Sequence, residues 1–494
     1  MMRAWLSTPL PGRTPAGLPA GAPIASIAAA VLVGAAIASR SPPLIGLALV
    51  PFGLVALARP DGAIVAFATA FYLNLPVLAA RDFHLSPALS SSVALLLLVP
   101  ALTEIALRRR RLVVTPALAL MVGYLVLLVM SATLSAGGRP ATVGPILTFL
   151  TEGLLLYLLI TNVVRTPRRL RAVVWSVVLA GAFMGMVSIW QEATHAYHAT
   201  LGGLAQVDAT GFNVGSGATG KDLRPRLAGP IGEKNRYAQV LVVLLPLAIS
   251  RASAERRRCL RLLGAACAGL IVCGVALTFS RGAAIAMAVL LIAMTALKMI
   301  SVRRLVALVL ALVVLVAIVA PDYAARLQTL GAADSALSQS STADAAIQGR
   351  ATESMAAFNV FRDHFVLGVG PGQFFSRYSA QYGNALDLRF LDQNRRAHNL
   401  YLEIAADTGA LGLASFLAIV GVTMAQLRRV SVLLRSHDPA LASLTQALLL
   451  ALLAYLATGL FLQLAYQRYF WFIVALANAA VWICGREHLR EAST

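Results

Sequence analysis

Charged residues are scarce in this chain. Only 13% of its 494 residues are Asp, Glu, Lys or Arg, whereas 59% are hydrophobic. Soluble domains carry about 25% charged residues, so this composition argues against a soluble protein. Stretches of roughly 17 to 22 mostly apolar residues recur with short polar breaks, and about 20 helical residues cross a bilayer core. The sequence therefore predicts an all-α polytopic membrane protein.

Cysteine is also rare, and familiar metal-binding patterns are missing. The four cysteines are Cys259, Cys267, Cys273 and Cys484. They lie within predicted spans or at their arginine-rich ends, where they cannot staple an outer loop, so packing and hydrogen bonds are expected to hold those loops. The sequence contains neither an Asp-x-Asp pair nor a His-Glu-x-x-His motif. We accordingly expect no metal and no other cofactor.

The apolar segments set the expected number of membrane crossings. About fourteen of them are long enough to be candidate spans. They lie near residues 22–39, 43–58, 62–80, 86–107, 116–135, 145–164, 172–192, 236–250, 262–279, 283–300, 303–320, 400–427, 441–465 and 469–485. The second and the eighth are short, so we predict about 12–14 transmembrane helices. The first span is expected to stay in the mature chain, because the segment before it is too long and proline-rich for a signal peptide.

A formal net charge of +20 suggests a nucleic-acid partner, but the positions of the basic residues indicate membrane topology instead. They cluster at one set of alternating helix ends. The clusters are 108–111; Arg165, Arg168, Arg169 and Arg171; Arg251, Arg256, Arg257, Arg258 and Arg261; Lys298, Arg303 and Arg304; Arg428, Arg429 and Arg435; and Arg486 and Arg490. These ends and both termini are predicted to be cytoplasmic. The sequence thus predicts no nucleic-acid partner.

The polar segment, residues 322–397, is predicted to lie on the opposite side and is long enough to carry function. It has equal numbers of arginine and acidic residues, which favours a small phosphate-bearing ligand held by a few arginines over a polymer of negative charge. Residues 343–365 have helical apolar spacing, and a stripe that includes Phe358 and Phe365 is expected to lie on the membrane domain. Arg350, beside this stripe, either faces a ligand or merely snorkels.

Two further candidate residues stand at the ends of predicted spans. Arg281 lies in the tight turn 278–282, which holds it at the outer membrane surface, and Gly282 is expected to let a ligand approach the backbone. His398 lies at the mouth of a span, and its unperturbed pKa of about 6.5 suits it to take a proton from a hydroxyl at neutral pH. Each has a structural alternative, a snorkelling arginine or a satisfied histidine.

Several motifs in a fixed order resemble the O-antigen ligase and polymerase superfamily, integral-membrane enzymes that transfer lipid-linked glycans. The matching stretches are 226–229 with 235–238, 278–282, 349–350 with 367–372, and 398–403 with 407–412. They are similar, in that order, to the family's Arg-x-x-Gly…Asn-x-x-Ala motif, its Ser-Arg-Gly turn, its arginine helix with a glycine-rich turn, and its histidine block. The match divides the chain into N-terminal spans at 1–223, a core at 224–413 that includes the loop 321–398, and C-terminal spans at 414–494.

The resemblance implies a GT-C-like fold with one large, partly helical periplasmic loop, in the bacterial inner membrane. It implies a glycosyltransferase that takes a glycan from undecaprenyl diphosphate and passes it to lipid A-core at the periplasmic face, with membrane lipids as its surroundings. Arg281 and Arg350 would then bind the diphosphate, and His398 would activate the acceptor hydroxyl in an inverting, metal-independent reaction. The remaining motif residues expected at the substrate are Arg226, Asn235, Arg236 and Asn399.

The sequence leaves the identity of the acceptor open. A ligase, a polymerase that uses a second lipid-linked repeat and a protein O-oligosaccharyltransferase share the donor and the chemistry; one large loop before the histidine block favours a ligase. A transporter of lipid-linked sugars is the alternative of another class, and Glu104 and Glu152 are its in-span acids. Glu104 is expected to offset Arg108. The glycine-rich turn lacks the lysine of a nucleotide-binding P-loop.

Overall fold

The protein is mostly α-helical and polytopic. The computed structural model describes residues 60–82, 95–102, 104–105, 109, 111–133, 139–213, 223–297, 299–320, 345–386, 391–464 and 467–491. The predicted spans 22–39 and 43–58 lie outside these residues, as do parts of the predicted span 86–107 and of the polar segment.

The described residues form α-helices, two π-helical turns and one small sheet. The helices are α1 Pro60–Tyr72, α2 Leu75–Asp82, α3 Leu95–Leu102, α4 Pro116–Thr133, α5 Arg139–Thr148, α6 Leu156–Val163, α7 Pro167–Thr194, α8 Lys234–Ala254, α9 Arg258–Ala276, α10 Arg281–Ala296, α11 Val302–Val319, α12 Ala345–Asp363, α13 Ser379–Asn384, α14 Leu400–Leu433, α15 Pro439–Gly459 and α16 Gln467–Glu491. The π-helical turns are Phe149–Leu155 and Phe374–Tyr378, and strands β1 Gln206–Asn213 and β2 Leu223–Gly229 pair antiparallel.

Eight helices in the described residues are long and apolar enough to cross a membrane. These are α4, the run 142–163 that joins α5 to α6, α7, α8, α9, α14, α15 and α16. The pair α1 and α2, bent by 56°, makes a ninth if it is one span, and α10 and α11 are shorter apolar helices. The polytopic all-α prediction is confirmed, whereas the total of about 12–14 crossings stays a prediction.

Capping residues explain where several spans begin. Thr166 and Asp438 cap α7 and α15, each followed by a proline in the first turn, which suits a helix start because that turn needs no backbone donor. Glu233, Ser280 and Asn399 cap α8, α10 and α14. The side chain of each accepts backbone N–H groups of the first turn that have no partner within the helix. The last three caps all lie at the end of the bundle described below.

The two ends of the bundle differ in character. Arg171 at the start of α7 lies 3.7 Å from Asp438 before α15, and Arg435 after α14 donates to the carbonyl of Leu297 after α10. The arginine-rich helix ends thus meet at one end of the bundle. At the other end, which we call the site end, lie the hairpin β1–β2, the turn that precedes α10, helix α12 and the start of α14. The hairpin was not expected from the sequence.

The core lies where the most buried spans meet. Helix α8 packs against α7, α9 and α15, while α16 packs against α6, α14 and α15. The in-span acids have arginine partners: Glu104 accepts from Arg169 at 2.9 Å, and Glu152 lies 3.9 Å from Arg468. Arg169 reaches Glu104 from the start of α7, a contact that sequence proximity does not reveal. The expectation that Glu104 offsets Arg108 stays a prediction, because Arg108 lies outside the described residues.

Helix α14 is interrupted near its start, and the glycine-rich turn fills the interruption. Gly409 has φ 67° and ψ −168°. The backbone N–H of Ala410 donates to the carbonyl of Phe365 at 2.7 Å, and Val369 donates to the carbonyl of Ala406 at 3.0 Å. A Cβ on Gly409 would lie 2.3 Å from the backbone of Val366. Unpaired backbone groups are costly within a membrane domain, and this loop pairs those that the break exposes.

Candidate active site

The turn that precedes α10 is held from the side by the hairpin. Strand β2 carries Arg226, which is 5% exposed, and its guanidinium donates to the carbonyls of Thr278 and Phe279 at 2.8 and 3.0 Å. Phe279 has a positive φ of 52°, a conformation that L residues seldom adopt without such support. Arg226 was predicted to contact substrate; its observed contacts favour a role in holding the turn that presents Arg281.

The same turn is tied to the start of α8. Ser280 Oγ donates to Asn235 Oδ1 at 3.0 Å, and the Asn235 side chain donates in turn to Glu233 Oε1 at 2.9 Å. The two motifs that the sequence placed apart, at 235–238 and 278–282, are therefore one hydrogen-bonded unit. Asn235 lies in the site as predicted, although its observed partners are protein groups.

The turn that presents Arg281 and helix α12 both contribute residues to one small pocket. Arg281 is 8% exposed at the first position of α10. A small pocket is lined by Ser280 and Gly282 on either side of it, together with Arg350 from α12. A Cβ on Gly282 would lie 3.3 Å from the ring of Phe461, so the glycine also permits close packing there. Its expected role as a point of ligand approach stays a prediction.

Helix α12 buries a different face from the one its apolar stripe predicted. Phe358 and Phe365 are 51% and 56% exposed. The buried face is formed by Thr352, Glu353, Ala356, Ala357 and Val360. Small side chains on that face let α12 lie close to α14, which larger aromatic groups would prevent. Arg350 is half-buried, one turn before this face.

His398 lies beside the buried carboxylate of α12. Its Nε2 is 3.6 Å from Glu353 Oε2, and Glu353 is 2% exposed. The Nδ1 of His398 is buried and has no hydrogen-bond partner among the described residues. His398 also has a positive φ of 49°. A carboxylate near one ring nitrogen favours a proton there, which leaves the other nitrogen to accept one.

Burial and positive charge together determine the protonation of His398. They lower the pKa of His398 from 6.5 to about 4, through burial first and then through Arg350, Arg236, Arg395 and Arg396. Glu353 acts in the opposite direction, but its oxygen is too distant for a strong hydrogen bond and Arg395 lies 3.9 Å from the same carboxylate. The imidazole is therefore neutral at pH 7, as a proton acceptor must be.

Arg236 and Asn399, both predicted at the substrate, have structural partners. Arg236 is 3% exposed and donates to Gln239 at 3.4 Å. Asn399 caps α14 by accepting from the backbone of Tyr401 and Leu402 at 3.0 Å. Both remain close to the reaction centre, because Arg236 acts on the pKa of His398 and Asn399 follows it in the chain. Their substrate-binding role stays a prediction.

Sequence reasoning missed Glu353 as a member of the site. The only available signal was its position three residues after Arg350, which places the two on neighbouring parts of one helix surface. It also missed the environment of Arg396, whose guanidinium lies 4.6 Å from the centre of the Phe375 ring and 2.8 Å from Glu403. Within the described part of the chain, no group of three or more His, Cys, Asp and Glu side chains is arranged to hold a metal ion.

The central part of the chain is similar to a known protein family. Residues 266–417 match the family model Wzy_C, described as O-antigen ligase. This segment runs from within α9 to within α14 and includes Arg281, Arg350 and His398. No curated protein matches the chain. The predicted core at 224–413 overlaps the matched segment, and its boundaries stay a prediction.

Proposed function

We propose that this chain, a member of the O-antigen ligase family through residues 266–417, is a glycosyltransferase of the bacterial inner membrane. It transfers a glycan from undecaprenyl diphosphate to lipid A-core, and the site end faces the periplasm. The observation that carries the proposal is the position of Arg350. This residue lines the pocket beside the Arg281 turn. It also lowers the pKa of His398 more than any other charged residue does.

The arginines suit a diphosphate leaving group. Arg281 and Arg350 present planar guanidinium groups that bind two phosphate oxygens at once and stabilise the charge that develops as the glycosidic bond breaks. Arg350 lines the small pocket, and Arg281 lies between two residues that line it. Both belong to helices, which limits the reorganisation that accompanies the reaction. This arrangement supports a donor that carries its own leaving group.

His398 acts as the base. The acceptor hydroxyl oxygen forms a bond to the anomeric carbon, the bond from that carbon to the diphosphate oxygen breaks, and the hydroxyl proton passes to Nδ1 of His398. The diphosphate leaves with the electron pair of the broken bond. Attack from the face opposite the diphosphate inverts the anomeric centre. Bound diphosphate also offsets the arginine charges, which raises the pKa of His398 toward its usual value and makes it a better base in the complex.

Alternative acceptors use the same residues. A second lipid-linked repeat or a protein serine or threonine would also deliver a hydroxyl to His398. Deletion of the gene in the native host, followed by glycolipid analysis, separates them. Long glycan accumulating on undecaprenyl diphosphate supports a ligase, whereas lipid A-core capped with one repeat would identify a polymerase. Failure of the repeat to reach the outer face would identify a transporter.

The residue assignments are tested with purified protein in vesicles. His398→Ala is expected to abolish transfer while binding of the donor persists. Arg281→Lys and Arg350→Lys are expected to lower kcat by about 100-fold, because a point charge does not reproduce a planar fork. Arg362→Lys, an exposed arginine on α12, is the matched control and should retain full activity. Full activity of the Arg350 variant would mean that this arginine merely snorkels.

A further inference from the structure

A second cavity lies beside the segment that carries His398, since Arg396 and Leu400 of that segment line it. Its volume is about 360 Å³, within the range of about 300–1,000 Å³ that is typical of ligand sites. Helices α4, α5 and α14, the glycine-rich turn and the first residue of α16 form its walls. It extends along α14 as far as Asp407 and Thr408, about two turns from the helix start.

The lining of the cavity is unsuited to a diphosphate. Glu403 and Asp407 contribute two carboxylates, whereas Arg396 is the single arginine and is paired with Glu403 at 2.8 Å. An anionic group entering here would meet two carboxylates and one arginine that is already paired, whereas Arg350 lines the other pocket. The donor's charged group therefore belongs in the other pocket.

The same lining suits a neutral sugar. Gln467 accepts from Trp471 through its carbonyl at 3.1 Å, which leaves its NH₂ group to donate. Thr148 donates to the carbonyl of Gly144 at 2.9 Å and keeps its oxygen as an acceptor. Phe149 adds an aromatic wall. Carboxylate, amide and hydroxyl groups beside an aromatic ring are the combination that binds the hydroxyl and C–H groups of a sugar ring.

The cavity is coupled to the base through Glu403. One carboxylate oxygen of Glu403 accepts from Arg396 and the other accepts from the backbone N–H of Ala397 at 3.1 Å. Glu403 thus holds the two residues that directly precede His398 while it also lines the cavity. A sugar bound in the cavity would therefore lie beside the segment that carries the base.

We propose that this cavity binds the terminal sugar of the acceptor, and that the donor diphosphate is excluded from it. The inference rests on the proposed transfer reaction, in which His398 takes the proton of the acceptor hydroxyl. It is specific about the ligand: an uncharged sugar residue of the acceptor glycolipid, contacted by Glu403, Gln467 and Thr148.

The kinetic test uses purified protein in vesicles, with undecaprenyl-diphosphate glycan as donor and lipid A-core without O-antigen as acceptor. Thr148→Trp fills the cavity, and Gln467→Ala removes a hydrogen-bonding group without adding bulk. Both are expected to raise the KM for the acceptor by about tenfold or more while the KM for the donor stays unchanged. Leu147→Trp is the matched control, since Leu147 is 51% exposed on the adjacent position of α5, and should leave both values unchanged. A raised donor KM with an unchanged acceptor KM, or no change in either, overturns the inference.

A binding test separates the cavity from the proposed reaction. A benzophenone amino acid at position 148 is irradiated in the presence of the acceptor glycolipid alone, with the same group at position 147 as the control. Cross-linking of the glycolipid at 148 and not at 147 supports the inference even if no transfer occurs. Absence of this cross-link, or cross-linking to the donor lipid instead, overturns it. Transfer that proceeds normally in the Thr148→Trp variant would refute the assignment of this cavity to the acceptor sugar while leaving the proposed reaction in place.

Discussion

Replacing Arg395 with glutamine should move the pH dependence of transfer without removing a substrate contact. Arg395 lies 3.9 Å from Glu353 and is one of the charges that lower the pKa of His398. Its removal takes away a positive charge that opposes the imidazolium, and it frees Glu353 to interact with the ring. Both changes favour protonation, so the pKa of His398 rises.

The size of the shift follows from the total displacement. The pKa of His398 falls from 6.5 to about 4, and burial, which the substitution leaves largely intact, is the first cause. Burial, Arg350 and Arg236 all precede Arg395 among the causes, so the share of Arg395 is at most about half a unit. Because the base must be neutral, activity falls as pH drops through this pKa. The acid limb of kcat/KM, near pH 4 in the parent protein, should move upward by roughly half a pH unit.

The assay measures transfer with both purified substrates between pH 3.5 and 8, with intrinsic tryptophan fluorescence at each pH to verify that the protein stays folded. The limb of kcat should lie above that of kcat/KM in the parent protein, because bound diphosphate offsets the arginine charges. Arg362→Gln is the control: this exposed arginine pairs with Asp363 and is not among the charges that act on His398. An acid limb near pH 6.5 in the parent protein, or an unmoved limb in Arg395→Gln, would refute the reasoning.

Glu353→Gln should lower kcat by about tenfold with little change in KM, since the amide keeps the shape but not the charge that orients His398; an unchanged kcat would exclude this positioning role. Arg226→Lys should lower the free energy of unfolding by about 1.5–3 kcal/mol and should also lower activity, because lysine cannot bridge both carbonyls of the turn. Gly409→Ala should unfold or misassemble the protein, with a Cβ 2.3 Å from Val366; Gly421→Ala, with open space around it, is the control and should behave as the parent in detergent unfolding assays.

Several of the predicted binding residues hold the turns and caps of the site. Arg226, Asn235 and Asn399 complete hydrogen bonds of the elements that carry Arg281 and His398. Arg350 lines the small pocket beside the Arg281 turn. Motif residues therefore include supports of a site, and the binding roles of Arg281 and Arg350 stay predictions.

Much of the architecture followed from the sequence because a bilayer imposes simple rules. Apolar runs of sufficient length must become helices, since no other open structure satisfies the backbone in lipid. The resemblance to the matched family followed from local motifs, which can be recognised without contact information. The roles of Arg281, Arg350 and His398 stay predictions. The helix starts at Thr166, Ser280 and Asn399 are also determined locally, because the side chain of each residue caps the helix that follows it.

What the tertiary structure decided are the relations between distant segments. Periodicity located helix α12 but chose the wrong face, because the exposed aromatic residues and the small buried residues have the same helical spacing. The break at Gly409 and the glycine-rich turn that fills it depend on backbone groups some forty residues apart, which have no signature in either segment alone. The lowered pKa of His398 arises from burial and from arginines on three different stretches of the chain. The electrostatic potential at the ring is a sum over positions in space rather than over sequence.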